Sequence, residues 1–215
     1  MEKLTDTWYV ALIDVLGFSN LAEQDFDTLV ESFDLMVLES SGHVDSFHRV
    51  KMAVFSDSII LRSPSLRELL PVVHVVLWMS LMENLIVRGA VSVGRHSERE
   101  DTGRLRVVSQ ALVKAAKLEQ DRRFRFPCVR IDPTITLDAS YWPVGCRNEE
   151  RMLLFYEGMN IINPCNPGWR KSAIGRVRML REKYPDHSQK YNWLKQLMLR
   201  IFDLEPMVPP EVLPP

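Results

Sequence analysis

The feature that most constrains this chain is an apolar segment at residues 11–16, which carries one acid, Asp14, and is followed at once by Gly17. The apolar residues are typical of a buried strand, and the glycine breaks that strand before a helical pattern begins. A carboxylate at a strand end can bind a cation, and free backbone N–H groups in the turn at residues 16–19 can bind phosphate oxygens. A simpler interpretation stays open, in which Asp14 caps the turn after an ordinary buried strand.

A second acid lies at the end of a second strand. Residues 52–62 consist of two apolar runs joined by Ser56-Asp57-Ser58, which predicts a tight hairpin with Asp57 at its tip. If the two strands are neighbours in one sheet, Asp14 and Asp57 can share metal ions. Two Mg²⁺ or Mn²⁺ ions that bridge a pair of aspartates and a triphosphate are a standard arrangement for phosphoryl and nucleotidyl transfer.

Length and composition exclude several classes of protein. A chain of 215 residues is long enough for one domain with a full core, and its formal charge of −1 gives no reason to expect a nucleic-acid partner. No run approaches the roughly 18 apolar residues of a membrane span, and the N-terminus has no apolar signal segment, so we expect a cytoplasmic protein without a membrane partner. Three widely spaced cysteines and five scattered histidines indicate neither a disulfide frame nor a zinc site.

The order of predicted elements indicates an α+β fold. We expect strands, helices and one charged loop in this order: strand 8–15, helix 18–38, hairpin strands 47–55 and 58–61, helix 66–85, strand 86–94, charged loop 95–103, strand 105–108, helix 110–120 and strand 128–131. This order predicts a ferredoxin-like or palm fold, with a mixed, mostly antiparallel sheet and helices packed on one face.

The composition changes after about residue 140. We expect a catalytic domain at 1–140 and a C-terminal extension at 141–204 that packs on the same domain. The extension is predicted to contribute edge strands at 151–156 and 159–162 and helices at 170–184 and 188–202. Residues 205–215 contain five prolines and predict an extended tail.

Four motifs together resemble the catalytic domain of the class III nucleotidyl (adenylate/guanylate) cyclases. They are Asp14-Val-Leu-Gly-Phe-Ser19, Phe55-Ser-Asp-Ser-Ile-Ile60, Arg88-Gly-Ala-Val-Ser-Val-Gly94 and Leu112-Val-Lys-Ala-Ala-Lys-Leu-Glu119. Their order and spacing match that family over roughly residues 8–135. The residues in these motifs are most similar to those of the small bacterial pyrimidine (uridylate/cytidylate) cyclases of the Pycsar anti-phage systems.

The resemblance implies an activity and a site. Such an enzyme converts a nucleoside triphosphate to its 3′,5′-cyclic monophosphate and pyrophosphate with two Mn²⁺ or Mg²⁺ ions. The matching metal positions are Asp14, Val15 and Asp57, although the hairpin tip, which is Gly-Asp in the family, is Ser56-Asp57 here. The turn formed by Leu16, Gly17, Phe18 and Ser19 would bind the β- and γ-phosphates. The family places each site between two catalytic domains, which implies a homodimer, and Pycsar products are read by a separate effector protein.

The substrate is predicted from the base-reading positions of the family. Purine cyclases have a Lys or Glu four residues before the second metal acid, where this chain has Ala53, so the resemblance implies a pyrimidine substrate. Strand alternation places Lys51, Ala53 and Phe55 on one face, which makes Lys51 the candidate reader of the base unless it is a solvated strand-end lysine. An ammonium group can donate to the uracil carbonyls but not to the cytosine amine, so we expect UTP to be favoured over CTP.

Neutralisation of charge in the transition state is less well specified by the sequence. In the family, an Asn and an Arg from one subunit act on the ribose and phosphate bound by the other subunit. The matching positions here are Val113 and Lys117, so the Asn is absent and the Arg is replaced by a lysine. Arg95, just past the small-residue strand, is a further catalytic candidate, and Arg88 is expected in an ion pair at the end of the sheet. Two alternatives stay open, a purine cyclase and a catalytically inactive module that binds nucleotide.

Overall fold

A computed structural model describes residues 6–101, 104–121, 126–143, 145–203 and 205–210. In these ranges eight strands form one sheet in the order β2-β3-β1-β4-β6-β8-β7, and β5 pairs with β4 outside this path. The pairing of β4 with β6 is parallel and every other pairing is antiparallel. The strands are β1 (Asp6–Val15), β2 (Lys51–Phe55), β3 (Ser58–Ser63), β4 (Val87–Asp101), β5 (Arg104–Ser109), β6 (Val129–Ile131), β7 (Leu153–Tyr156) and β8 (Met159–Ile162).

Within the described residues six α-helices accompany the sheet, which confirms the predicted α+β class. They are α1 (Phe18–Gln24), α2 (Phe26–Val44), α3 (Leu66–Met82), α4 (Gln110–Glu119), α5 (Arg170–Lys183) and α6 (Ser188–Ile201). The single helix expected at 18–38 is two helices that meet at Asp25. The backbone of Asp25 leaves the helical region, with φ −159°, and its carboxylate accepts a hydrogen bond from Thr28 N at 3.2 Å, which caps α2.

The main core lies between α2, α3 and one face of the sheet. Alternate residues of the central strand, Ala11, Ile13 and Val15, point to this face and are fully or almost fully buried. On the neighbouring strand Ile59 and Leu61 do the same. The other set of alternate residues, which includes Asp14, therefore points to the opposite face.

Strand β4 is longer than the sequence predicted. The segment 95–103 is not a loop over its described residues, because β4 continues to Asp101 and pairs with β5 from His96 opposite Ser109 to Asp101 opposite Arg104. Residues 102 and 103 lie outside the described residues. A two-stranded arm can keep charged side chains in solvent while its backbone groups pair, so the high charge of this segment does not prevent strand formation.

Helix α4 packs on the opposite face of the sheet, so the expectation of helices on one face was wrong for this element. Small residues on β4 allow the close approach. The hydroxyl of Ser92 donates to the Ala111 carbonyl, and a Cβ placed on Gly94 would meet Ala111 N at 3.0 Å. This leaves Asp14 under the C-terminal end of α4 (see below).

The C-terminal extension continues the same sheet. Strand β8 pairs with β6, β7 forms the outer edge, and helices α5 and α6 build a second core that includes Leu180, Leu194 and Leu197. The described part of the proline-rich tail packs against this unit, because Phe155 N donates to the Met207 carbonyl and Met207 N donates to Asn148 Oδ1, both at 2.8 Å. Within the described ranges, every helix is too short or too polar to cross a membrane.

Candidate active site

Asp14 and Asp57 lie at the same end of neighbouring strands. Asp14 is paired with Ser58 of β3 on one side and with Arg88 of β4 on the other. The hairpin tip is held against β1, because Val15 N donates to the Asp57 carbonyl at 3.0 Å. Ser56 at the tip has φ +52°, a left-handed conformation that favours glycine. The two-residue turn thus places Asp57 beside Asp14.

The charges of this site oppose one another. Burial, followed by the negative charges of Asp57 and Glu119, raises the pKa of Asp14 from 3.8 to about 6, although Arg88 acts in the opposite direction. Three carboxylates and one guanidinium therefore share a half-buried space. Such a group has a surplus of negative charge, which a bound cation would neutralise.

Arg88 joins Asp14 to helix α4. Its Nη2 lies 3.5 Å from Asp14 Oδ2, and its Nε contacts Glu119 Oε1. Glu119 is only 7% exposed, on the last turn of α4. Glu119 was not among the residues predicted for the site, although Ala111, Ala115 and Glu119 follow each other at the four-residue spacing of one buried helix face.

The residues present fit a divalent cation. Asp14 and Asp57 offer hard carboxylate oxygens, whereas the side chain of Val15 is apolar and buried, so Val15 could contribute only its carbonyl oxygen. In the part of the chain that the structure describes, no group of three or more His, Cys, Asp or Glu side chains is arranged around a metal position. The rest of the coordination shell would therefore come from phosphate oxygens and water, as is usual for Mg²⁺ at phosphate sites.

The glycine turn differs in one respect from the expectation. Leu16 N donates to the Ile86 carbonyl at 2.8 Å, so this amide is not free for a phosphate. Gly17 adopts φ +77°, and Phe18 and Ser19 begin α1. The amides in the first turn of a helix have no intrahelical partner, so those of Phe18 and Ser19 are the ones that this turn can offer.

An open cavity of about 300 Å³ lies on the same sheet face as Asp14. Its walls are mostly apolar and come from β1, β2, β3, β4, β5 and α4. The lining residues are Val10, Ala53, Phe55, Ile60, Arg62, His96, Val107 and Leu112. Ala53 and Phe55 thus line one space. Lys51 does not line it, because its side chain is 57% exposed and its Nζ lies 3.8 Å from Glu98 Oε1.

The structure places the two remaining predicted catalytic residues on β4 and α4. Arg95 is opposite Thr7, seven residues along β4 from Arg88, which places it about 23 Å away and on the other sheet face. Arg95 therefore lies on a strand where a loop was expected, because β4 continues to Asp101, and its catalytic role stays a prediction. Lys117 lies on the exposed side of α4, close in sequence to the exposed Val113.

Solved structures of adenylyl and guanylyl cyclases have this fold. A bacterial light-regulated adenylyl cyclase is 11% identical, with a TM-score of 0.54 over 82% of this chain and 98% of that chain. The catalytic core of a rhodopsin-guanylyl cyclase with converted specificity, in complex with ATPαS, is 10% identical, with a TM-score of 0.50 over 74% of this chain and 96% of that chain. No family model matches the sequence, and no curated protein matches it significantly.

Proposed function

We propose that this protein is a nucleotidyl cyclase that converts a pyrimidine nucleoside triphosphate, preferably UTP, to its 3′,5′-cyclic monophosphate and pyrophosphate. The observation that carries the proposal is the meeting of Asp14 and Asp57 at the ends of two neighbouring strands, in a fold shared with solved cyclases. The negative charge of Asp57 contributes to the raised pKa of Asp14. Two strand-end acids placed in this way have no evident role in packing, whereas they are suited to a cation and a triphosphate.

In this proposal the protein positions the triphosphate and the metal ions and stabilises their charges, and it forms no covalent bond to the substrate. Asp14, Asp57 and the Val15 carbonyl would hold two Mg²⁺ or Mn²⁺ ions, which when bound lower the pKa of the 3′-hydroxyl and neutralise the triphosphate. Arg88, fixed by Glu119, keeps the Asp14 carboxylate turned toward the site. The Phe18 and Ser19 amides donate to the terminal phosphates.

The proposed enzyme acts as a homodimer. Large apolar side chains near the cavity remain exposed in one chain, among them Phe55 (56%), Val108 (77%) and Val113 (55%). A second copy that covers them would also bring Lys117 of its α4 toward the first copy, where Arg88 is already paired with Asp14 and Glu119. Mixing Asp57→Ala with Lys117→Ala chains should then restore product formation. A fully active monomer would refute the dimeric site.

A pyrimidine substrate is supported by Ala53, which has no polar group for a purine. A purine substrate is the second candidate, because the solved structures with this fold are named as adenylyl and guanylyl cyclases. One experiment separates them. The purified protein is incubated with ATP, GTP, CTP or UTP and Mn²⁺, and the products are resolved by chromatography and mass spectrometry, with Asp57→Ala as control.

We expect cyclic UMP as the main product, cyclic CMP next, and none from Asp57→Ala. Equal turnover of ATP and UTP would refute the pyrimidine assignment, and no product from any triphosphate would favour an inactive nucleotide-binding module. The resemblance to Pycsar cyclases further supports a role as second-messenger synthase in bacterial anti-phage defence. Cyclic UMP should then rise in producing cells after phage infection and should stay at its basal level in cells that carry Asp57→Ala.

A further inference from the structure

The solvent side of helix α2 carries large apolar side chains. Residues at four-residue intervals share one side of a helix, and two neighbouring rows of this kind, which start at Phe26 and Asp27, are exposed along the helix. Half of the side chains in these rows are large and apolar, namely Phe26 (59% exposed), Val30, Leu35 and Leu38 (67%). Several such side chains together on one surface are typical of an interaction site.

The same side of α2 is acidic. Residues 23–45 contain seven acids and no Lys or Arg. Asp27, Glu31 and Glu39 are exposed among the apolar side chains, and their carboxylates form no ion pair with another described residue. A surface that is both acidic and apolar is complementary to one that is both basic and apolar.

Helix α5 of the same chain has a surface of that second kind. Residues 171–183 contain five Lys or Arg and only one acid. Lys171, Arg178 and Lys183 are exposed. Met179, which lies between them in the sequence, is also exposed, so the basic side of α5 has an apolar side chain within it.

The acidic and the basic helix border one open cavity of about 290 Å³. Thr28 and Ser32 of α2 line this cavity, and so do Met179 and Lys183 of α5. The hydrogen bonds from Thr28, and to a smaller extent the charge of Lys183, lower the pKa of Asp25, so the two helices are within electrostatic range. One chain therefore presents two complementary surfaces side by side.

We propose that the surface formed by α2 and α5 binds a second copy of this chain. A two-fold axis that passes between the two helices places α2 of each copy against α5 of the other, so one patch is complementary to itself. Helix α2 packs on the sheet face opposite α4, so this contact can coexist with the proposed catalytic dimer. It does not depend on cyclase activity.

The test measures the mass of the full-length protein at low ionic strength, where surface charges are least screened, by sedimentation velocity and native mass spectrometry. One variant reverses the charge of α2 with Asp27→Lys and Glu31→Lys. The other reverses the charge of α5 with Lys171→Glu and Arg178→Glu. All four side chains are exposed, so both variants should fold, and thermal unfolding checks this.

The control combines Arg49→Glu with Arg67→Glu, which changes the net charge as much as the α5 variant does. Both side chains are more than half exposed, and their ion pairs at the surface contribute little to stability. Arg67 is in the first turn of α3, whereas α3 borders the cavity only at its other end, at Glu83.

We expect the wild type to associate through this surface, and each of the two variants alone to weaken that association about tenfold or more, while the control leaves it unchanged. An equimolar mixture of the α2 and α5 variants should associate again, because each α2 then faces an α5 of opposite charge. A monomeric wild type, a mass that neither variant changes, or a mixture that does not associate would overturn the inference. Failure of the proposed cyclase activity would leave these masses unchanged.

Discussion

Replacing Asp14 by Asn should make the protein more stable at neutral pH. In the folded state burial, Asp57 and Glu119 raise the pKa of Asp14 from 3.8 to about 6. The acid is therefore harder to ionise in the folded chain than in the unfolded chain, and its charged form costs folding free energy above pH 6. Asparagine keeps the shape of the side chain and removes that cost.

The size of the effect follows from the same values. A rise from 3.8 to about 6 corresponds to about 3 kcal/mol. The side chain is still 22% exposed, so solvent reduces the cost, and we expect Asp14→Asn to add about 1.5 kcal/mol to the free energy of unfolding at pH 7.5. The gain should fall to about a third of that value at pH 4.5, because the wild-type acid is then mostly protonated in the folded state.

Urea unfolding followed by tryptophan fluorescence, with chelator present, measures this difference at the two pH values. Asp34→Asn, an exposed residue of α2, is the control and should change neither curve appreciably. Added Mn²⁺ should stabilise the wild type but not Asp14→Asn, because only the wild type retains the proposed ligand. Lower stability of Asp14→Asn than of wild type at pH 7.5, or a gain that does not change with pH, would refute this electrostatic account.

Three further substitutions test the residues that hold Asp14 and Asp57 in place. Glu119→Gln should lower the free energy of unfolding by about 1–3 kcal/mol, since the half-buried Arg88 loses a charged partner, and should lower the pKa of Asp14 in an NMR titration. Gly89→Ala should cost about 3 kcal/mol or more in thermal unfolding, because its Cβ would lie 2.2 Å from the Leu12 carbonyl oxygen. Ser56→Gly should raise the urea midpoint by an amount equal to about 0.5–1 kcal/mol, because φ +52° is strained for serine, and an unchanged midpoint would contradict this.

Much of the fold follows from local sequence pattern. Apolar alternation and helical periodicity located most strands and helices, and two acids at strand ends indicated one shared site. The pattern could not show that β4 runs through the charged segment, because pairing with β5 stabilises that strand, and so Arg95 was expected at the start of a loop rather than on a strand. It also could not show the group of Arg62, His96 and Glu98, because this group forms through side-chain contacts of Glu98 with Arg62, which is distant in the sequence, and with His96.

The continuous sheet has a consequence for synthesis of the protein on the ribosome. Strand β6 pairs with β8, and residues such as Leu81 and Ile86 are covered by α5 and α6, which are made about 85 to 120 residues later. Until the last third of the chain emerges, the nascent protein therefore carries an unpaired strand edge next to an apolar surface. The ribosome-bound chain is thus open to mispairing and to chaperone binding until translation is nearly complete.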